Sequence, residues 1–476
     1  MRVFFGLILI ICLRLSAQGP AVPPTPATVP AQIPTPGLRT SQASDFQGSV
    51  PAGQATATAI ALSLQDAIDR GLKTNLGLLI RDTGSRIAQA ERVRALSSLL
   101  PNVQGAISGT EQQIDLASFG FHFSGIPPVI GPFGYNDARA SMSQTGFDLT
   151  ALRNKRAADQ NLKAAQLSVQ DGRDLVVQSV ASAYLQIIAD AARIDATKAQ
   201  VATAQALYER ARDQHRAGVS PAIDELRAQV ELKTQQQVLI AQQNQFDKDK
   251  LVLARVIGLP VGQGFNLADT IPYQALDGIA PDDALHRALE TRADYQSGLI
   301  QIRAAEISME AVRAQRYPTL GLAANYGDIG SSFANSHGTF AVTGSLKFNI
   351  WDSGKIRADQ EQADAALKQK RDELADLQGK IDFQIRTALL DLKTAADQVA
   401  VARDNLDLAN QTLTQARDRF AAGVADNIEV VQAQDSVASA NQSLISGIYM
   451  HNLAKVSLAR AMGATETNLK QYIGGK

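Results

Sequence analysis

The residues of this chain best suited to metal binding or nucleophilic chemistry are five histidines, His122, His215, His286, His337 and His451, and one cysteine, Cys12. They are scattered without metal-ligand spacing, and no nucleophile motif or phosphate-binding glycine loop accompanies them. No catalytic residue, metal site or cofactor is assigned, and an enzyme is not expected. What does recur is a charged turn, "RDQHRAGVSPAIDELRAQ" from Arg212 to Gln229 and "RDRFAAGVADNIEVVQAQ" from Arg417 to Gln434. Each holds a Gly-Val pair, Gly218 and Val219 or Gly423 and Val424, followed by an acid, Asp224 or Glu429. Glycine there suits the left-handed residue that closes a helix, and Pro221 or Asp426 suits the start of the next. An acid in a first helical turn is favoured by the helix dipole. Each turn therefore reads as the tip of an antiparallel helical hairpin.

These tips belong to a longer duplication. "AIDRGLKTN" from Ala67 returns as "ALHRALETR" from Ala284, 217 positions on, and Pro101 returns as Pro318 at the same offset. "FDLTALRNKRAAD" from Phe147 aligns with "WDSGKIRADQEQA" from Trp351 at an offset of 204, and Gly218 with Gly423 at 205. The shift in offset places about thirteen extra residues in the first copy, as a loop insertion around "FHFSGIPPVIGPFGYN". The division is a first repeat over 61–262, a connecting segment over 263–280, a second repeat over 281–463 and a tail over 464–476.

Each repeat opens on a helix, from Ser63 with a capping-box-like start to Pro101, and from Pro281 to Pro318. Strands follow. In "GTFAVTGSLKFNIW" Phe340, Val342, Leu346, Phe348 and Ile350 alternate with polar or small residues, a period of two over Gly338 to Ile350. "PTLGLAANYGDIG" supplies its partner, and the first copy offers weaker versions around 102–111 and 136–148. A proline-free rod comes next, from Leu149 to Ala217 and again from Ser353 to Ala422. Val176, Val180, Tyr184, Ile187, Ala191, Ile194 and Val201 recur along the first rod at steps of three, four or seven, as helix packing requires. At 1.5 Å per residue such a rod is roughly 100 Å long. Returning helices from Ile223 to about Ile257 and from Asn427 to about Met462 complete the hairpins.

The N-terminus places Arg2 before an apolar run from Val3 to Leu13, with Ser16 and Ala17 after it, the layout of a signal peptide over 1–17. The run is too short for a bilayer core of roughly 30 Å. Cys12 would leave with it, and Ile11 is not the small residue that normally precedes a lipidated cysteine. A Pro/Ala/Thr-rich segment over 18–60 is expected to be disordered. No later window holds eighteen apolar residues in a row, so membrane helices are not expected and any membrane insertion has to use strands. Four strands cannot close a barrel alone, so closure needs several chains. Trp351, at the end of its strand, is a candidate for the membrane interface. The net charge of -1 and pI near 6.5 offer no basic surface for nucleic acid.

The pieces "LSLQDAIDRGLKTN", "LLPNVQG", "HRAGVSPAIDELRAQ", "RYPTLGL", "KFNIWDSGKIR" and "FAAGVADNIEVVQAQ", in this order, resemble the TolC-like outer membrane efflux proteins over roughly residues 61 to 463. The fold class implied is mainly α with a β-barrel part. It is a homotrimer with a twelve-stranded barrel in the outer membrane and an α-helical barrel in the periplasm. The resemblance also implies export of substrates from an inner-membrane transporter through a periplasmic adaptor. By the same resemblance Asp224, Glu429, Gln432 and Phe420 fall at periplasmic gate positions, and three copies of the Glu429 carboxylate around an axis would repel each other and attract cations. Gln432 stands where a second acid can occur, Phe420 where a tyrosine can, and Ala425 where a basic residue can. Gly218, Val219, Gly423 and Val424 are the candidates for adaptor docking. Drugs, metal ions and proteins all remain open as cargo. A periplasmic coiled-coil scaffold would account for the rods and tips but leaves the paired strands unexplained.

Overall fold

The computed structural model describes residues 45–122, 124–270, 273–276, 278–425, 427–463 and 465–467. The expected signal peptide and most of the Pro/Ala/Thr-rich segment and C-terminal tail lie outside them, as does Asp426. The first repeat runs β1 Ile60–Leu62, α1 Leu64–Thr74, α2 Leu76–Ser97, β2 Asn102–Asp115, β3 Val129–Phe147, α3 Leu149–Arg216, α4 Ala222–Val256, with β4 Phe265–Leu267 after it. The second runs α5 Pro281–Thr291, α6 Ala293–Ala314, β5 Thr319–Gly330, β6 Ser336–Lys347, α7 Lys355–Ala421 and α8 Asn427–Ala461. The described residues form two compact units, one of strands and one of helices.

The strand unit is a four-stranded sheet in the order β2-β3-β5-β6, with β2–β3 and β3–β5 antiparallel. The register Asn136↔Gly330 to Phe147↔Leu320 joins the two repeats through their inner strands. The inserted residues of the first copy are not only a loop: β3 starts at Val129 and pairs with β2 as far as Asp115, across a shift at Gln112/Ile114. Phe340, Val342 and Leu346 alternate along β6 as expected and are exposed. The strand stops at Lys347, short of the expected Ile350. Its neighbour β5 begins at Thr319, directly after Pro318, which has no N–H to prolong a ladder.

In the helical unit Asp148 caps α3 by accepting a hydrogen bond from Ala151 N at 3.0 Å. Val176, Val180, Tyr184, Ile187 and Ile194 are buried on one stripe of that rod, while Ala191 and Val201 are half-buried. An eighteen-residue window of α3 is long and apolar enough to cross a bilayer by length and composition, but half of it is buried against other helices. The stripe builds the first-repeat core with Leu253, Val256, Ile257 and Val456, and Ile381, Ile385 and Leu458 anchor a second core.

Each opening helix, expected to be continuous, breaks at the same repeat position. Asn75 and Arg292 both leave the helical region, at ψ 127° and 119°. Asn75, fully buried, caps α2 through Gly77 N and donates its amide to the Phe46 carbonyl at 2.7 Å. Ordered structure thus begins before the expected boundary at 60, because Phe46 is an apolar plug for the first core. Opposite each break a returning helix ends. Thr74 Oγ1 donates to the Ile257 carbonyl at 2.9 Å, and its counterpart Thr291 Oγ1 donates to the Met462 carbonyl at 2.7 Å. The connecting segment also contributes to this region, through β4 pairing parallel with β1.

Candidate functional site

Both hairpin tips close in the same way. Val219 N donates to the Gln214 carbonyl at 2.9 Å and Val424 N to the Arg419 carbonyl at 3.1 Å, the wide bond of a helix-ending motif whose glycine is left-handed. Gly218 and Gly423 stand at φ 71° and 73°, with no atom close to where a Cβ would lie. Val219 is 76% and Val424 71% exposed. The four residues expected to dock a partner therefore form two small, bare apolar knobs.

The acids at the tips are held differently. Asp224 accepts from Ser220 Oγ at 2.8 Å, lies 3.7 Å from Arg227, and its side chain is only 14% exposed, so it serves the start of α4. Glu429 faces Arg419 at 3.5 Å across the second turn and is 43% exposed. Gln432 is exposed one turn on. Phe420 is half-buried, with the Arg210 guanidinium 5.6 Å from its ring centre. It packs with Leu207, Ala211, Ala228, Ala416, Val430 and Ala433, the small core that ties the two tips of one chain together. A cavity of about 400 Å³ opens there, lined by Arg210, Arg417, Phe420 and Gln434 among others. Trp351 is 86% exposed in the loop before α7, not on a strand.

Two features were not read from the sequence. At the first tip His215 Nδ1 lies 2.6 Å from Glu225 Oε2, a hydrogen-bonding pair across the turn that neighbours the expected Asp224. The ten-residue spacing would have identified it once the turn was placed. Far from the tips, a buried ionic junction joins the repeats. Asp171 of α3 takes Arg81 of α2 at 2.6 Å and also Arg460 of α8. Arg292 clasps Asp294 at 2.6 and 3.0 Å and donates to Gln384 of α7 at 2.8 Å. Although burial alone would raise it, the Asp294 carboxyl sits below its usual range because Arg292, and then Arg460, face it. The members of this junction come from five helices, α2, α3, α6, α7 and α8, and from the break at Arg292, so no local pattern announces it.

A duplicated long helical hairpin, together with a four-stranded sheet to which each repeat gives two strands, defines an outer-membrane export channel subunit. The chain belongs to the outer membrane efflux protein family, whose model matches residues 84–259 and 284–464. It is 26% identical over 424 residues, 84% of this chain and 83% of the relative, to the toluene efflux pump outer membrane protein TtgC of Pseudomonas putida. It is 23% identical, over 87% of each chain, to the pyoverdine export outer membrane protein OpmQ of Pseudomonas aeruginosa. The fold matches the CmeC outer membrane channel of Campylobacter jejuni at a TM-score of 0.75 and 17% identity, over 90% of this chain and 94% of that one. The open state of the MtrE outer membrane channel of Neisseria gonorrhoeae matches at 0.71 and 16%, over 87% and 94%. Membership places the protein in the outer membrane and sets the scaffold reading aside.

Proposed function

We propose that three copies form an export conduit, with a twelve-stranded barrel in the outer membrane and a helical barrel in the periplasm. It passes substrates from an inner-membrane transporter through a periplasmic adaptor. The observation that carries this is the sheet: four strands of which β2 and β6, among the described residues, are unpaired on their outer sides and cannot face lipid unless neighbouring chains satisfy them. Relatives named for toluene efflux and pyoverdine export support small molecules as cargo. Fractionation and electrophoresis test the assembly: the protein is expected in the outer membrane as an oligomer that dissociates only on heating. Recovery as a soluble monomer would sink the proposal.

Within that conduit Glu429, with Gln432 and Phe420 near it, is the gate candidate, and Asp224 is the weaker one because it is tied to its own helix start. Single-channel recording checks this: Glu429→Gln is expected to change conductance and cation preference, and an unchanged channel removes Glu429 from the gate. Val219 and Val424 serve adaptor docking, since small exposed residues let a helical hairpin approach closely. Cysteine at either position should crosslink to the adaptor in a working pump. Trp351, exposed beside Ile350 and Phe348, is proposed to lie at the membrane interface.

A further inference from the structure

We propose that a proton shared by Asp190 and Asp249 latches α4 onto α3, fastening the first hairpin in acid and freeing it at neutral pH. Asp190 lies on the buried side of α3 and is 4% exposed. One of its oxygens, Oδ1, accepts from Gln186 Nε2 at 3.0 Å and from Arg193 Nη1 at 2.8 Å. The other, Oδ2, is buried and meets no donor among the described residues. The side chain that Asp190 meets across the helix interface is a second carboxyl, Asp249 of α4. Two acceptors cannot bond each other and two negative charges at such a distance repel, so the group that completes the pair is a proton.

The surrounding helices set the charge balance. Arg193 is the cation that faces the pair, and its Nη2 donates to Ser446 Oγ of α8 at 3.3 Å. Tyr449 of α8 lies near both carboxyls, and Gln245 Nε2 donates to Asp249 Oδ2 at 2.9 Å within α4. A single arginine balances one carboxylate and leaves the second uncompensated. Burial first, and the Asp249 carboxyl second, push the Asp190 carboxyl up to about 6. A carboxyl held above its unfolded value of about 4 contributes stability that is complete below that value and is lost as pH rises through about 6. Acid therefore tightens α4, and neutrality loosens it.

The second hairpin shows that this point needs no carboxyl. Asp190 and Asp249 correspond, 205 positions on, to Ala395 and Ala454, which are 4% and 5% exposed. Two buried alanines thus fill in one repeat the places that two acids take in the other. Burying carboxyls where alanines suffice costs stability unless they are paired, so the first hairpin carries at this height a contact set by pH and the second one set by packing. On the conduit reading, acid would fasten the hairpin that bears Val219 and leave the one that bears Val424 unchanged. The latch itself lies within one chain and does not rest on that reading.

Hydrogen exchange in the full chain, purified in detergent, tests this. After correction for intrinsic rates, α4 amides around Asp249 should be several-fold better protected at about pH 5 than at about pH 7.5, while α8 amides around Ala454 should gain nothing. Asp249→Asn keeps the Asp190–Arg193 pair and supplies an N–H for Oδ2, so it should hold α4 at the acid level of protection at both pH values. Asp190→Ala with Asp249→Ala, the combination already present in the second repeat, should fold and also lose the difference. The infrared difference between wild type and Asp249→Asn should contain a protonated-carboxyl band that fades as pH rises through about 6. Equal protection on both sides in the wild type, or a difference that survives these substitutions, overturns the latch. So does a difference that a chelator abolishes, which would assign the pair to a metal ion. A wild-type protein that keeps the difference but forms no conducting pore overturns the conduit reading and leaves the latch standing.

Discussion

Four left-handed glycines end the four long helices, and they fall into two kinds. Gly218 and Gly423 at the tips turn in open space, whereas Gly258 and Gly463 at the junctions stand at φ 63° and 66° against solid neighbours. A Cβ on Gly258 would lie 2.7 Å from Thr74, and one on Gly463 2.8 Å from Arg292. The junctions also share their threonine-to-carbonyl bond, while the tips use different side-chain pairs, His215 with Glu225 and Arg419 with Glu429. Duplication has kept one geometry where helices are spliced, whereas the tips share their backbone turn and differ in their side-chain pairs. The unequal tips are the feature a mouth needs if one set of hairpins moves against the other.

Substituting the glycines breaks or sharpens this contrast. Gly258→Ala and Gly463→Ala combine a disfavoured φ with steric overlap and should each cost more than about 3 kcal/mol, seen as loss of folded protein by circular dichroism. Next come the two breaks. Arg292→Ala leaves the largely buried Asp294 with Arg460 alone, 3.8 Å away, and should cost about 3 kcal/mol, whereas Asn75→Ala loses a cap and one buried bond, about 2 kcal/mol; chemical denaturation ranks them.

The third difference depends on pH. Burial first, and the Lys455 ammonium second, push the His451 imidazole down to about 4, and Tyr273 packs 4.6 Å from its ring. A base held below its unfolded value of about 6.5 contributes stability above that pH and loses it as pH falls towards 4, about 3 kcal/mol in all. Its first-repeat counterpart is Phe246, so hydrogen exchange should show α8 loosening on acidification while α4 does not, and His451→Phe should remove the difference. The smallest effects belong to the tips. Gly218→Ala and Gly423→Ala meet only the backbone penalty, about 1 kcal/mol, and should leave thermal unfolding nearly unchanged.

Much of this architecture was legible because it rests on periodicity and punctuation. The rods and returning helices begin and end within two residues of their expected bounds, since proline, glycine and capping acids mark them. The breaks at Asn75 and Arg292 were not legible, because their cause is the end of another helix almost two hundred residues away. Phe46 was overlooked within a proline-rich context that its burial overrides. At the tips the residues were foreseen, but the division of labour between Asp224 and Glu225 depends on which carboxylate Ser220 and His215 reach.

The open strands of the sheet impose an order of events on biogenesis. Among the described residues β2 and β6 have no neighbour on their outer edges, and Val103, Ile107, Phe340 and Val342 are exposed beside them, a template for errant pairing. The strand unit of a newly exported chain thus needs a holding factor or immediate partners, while the helical unit, with its own cores, has no such need. Maturation should proceed from pre-formed rods to a barrel completed last, at the membrane.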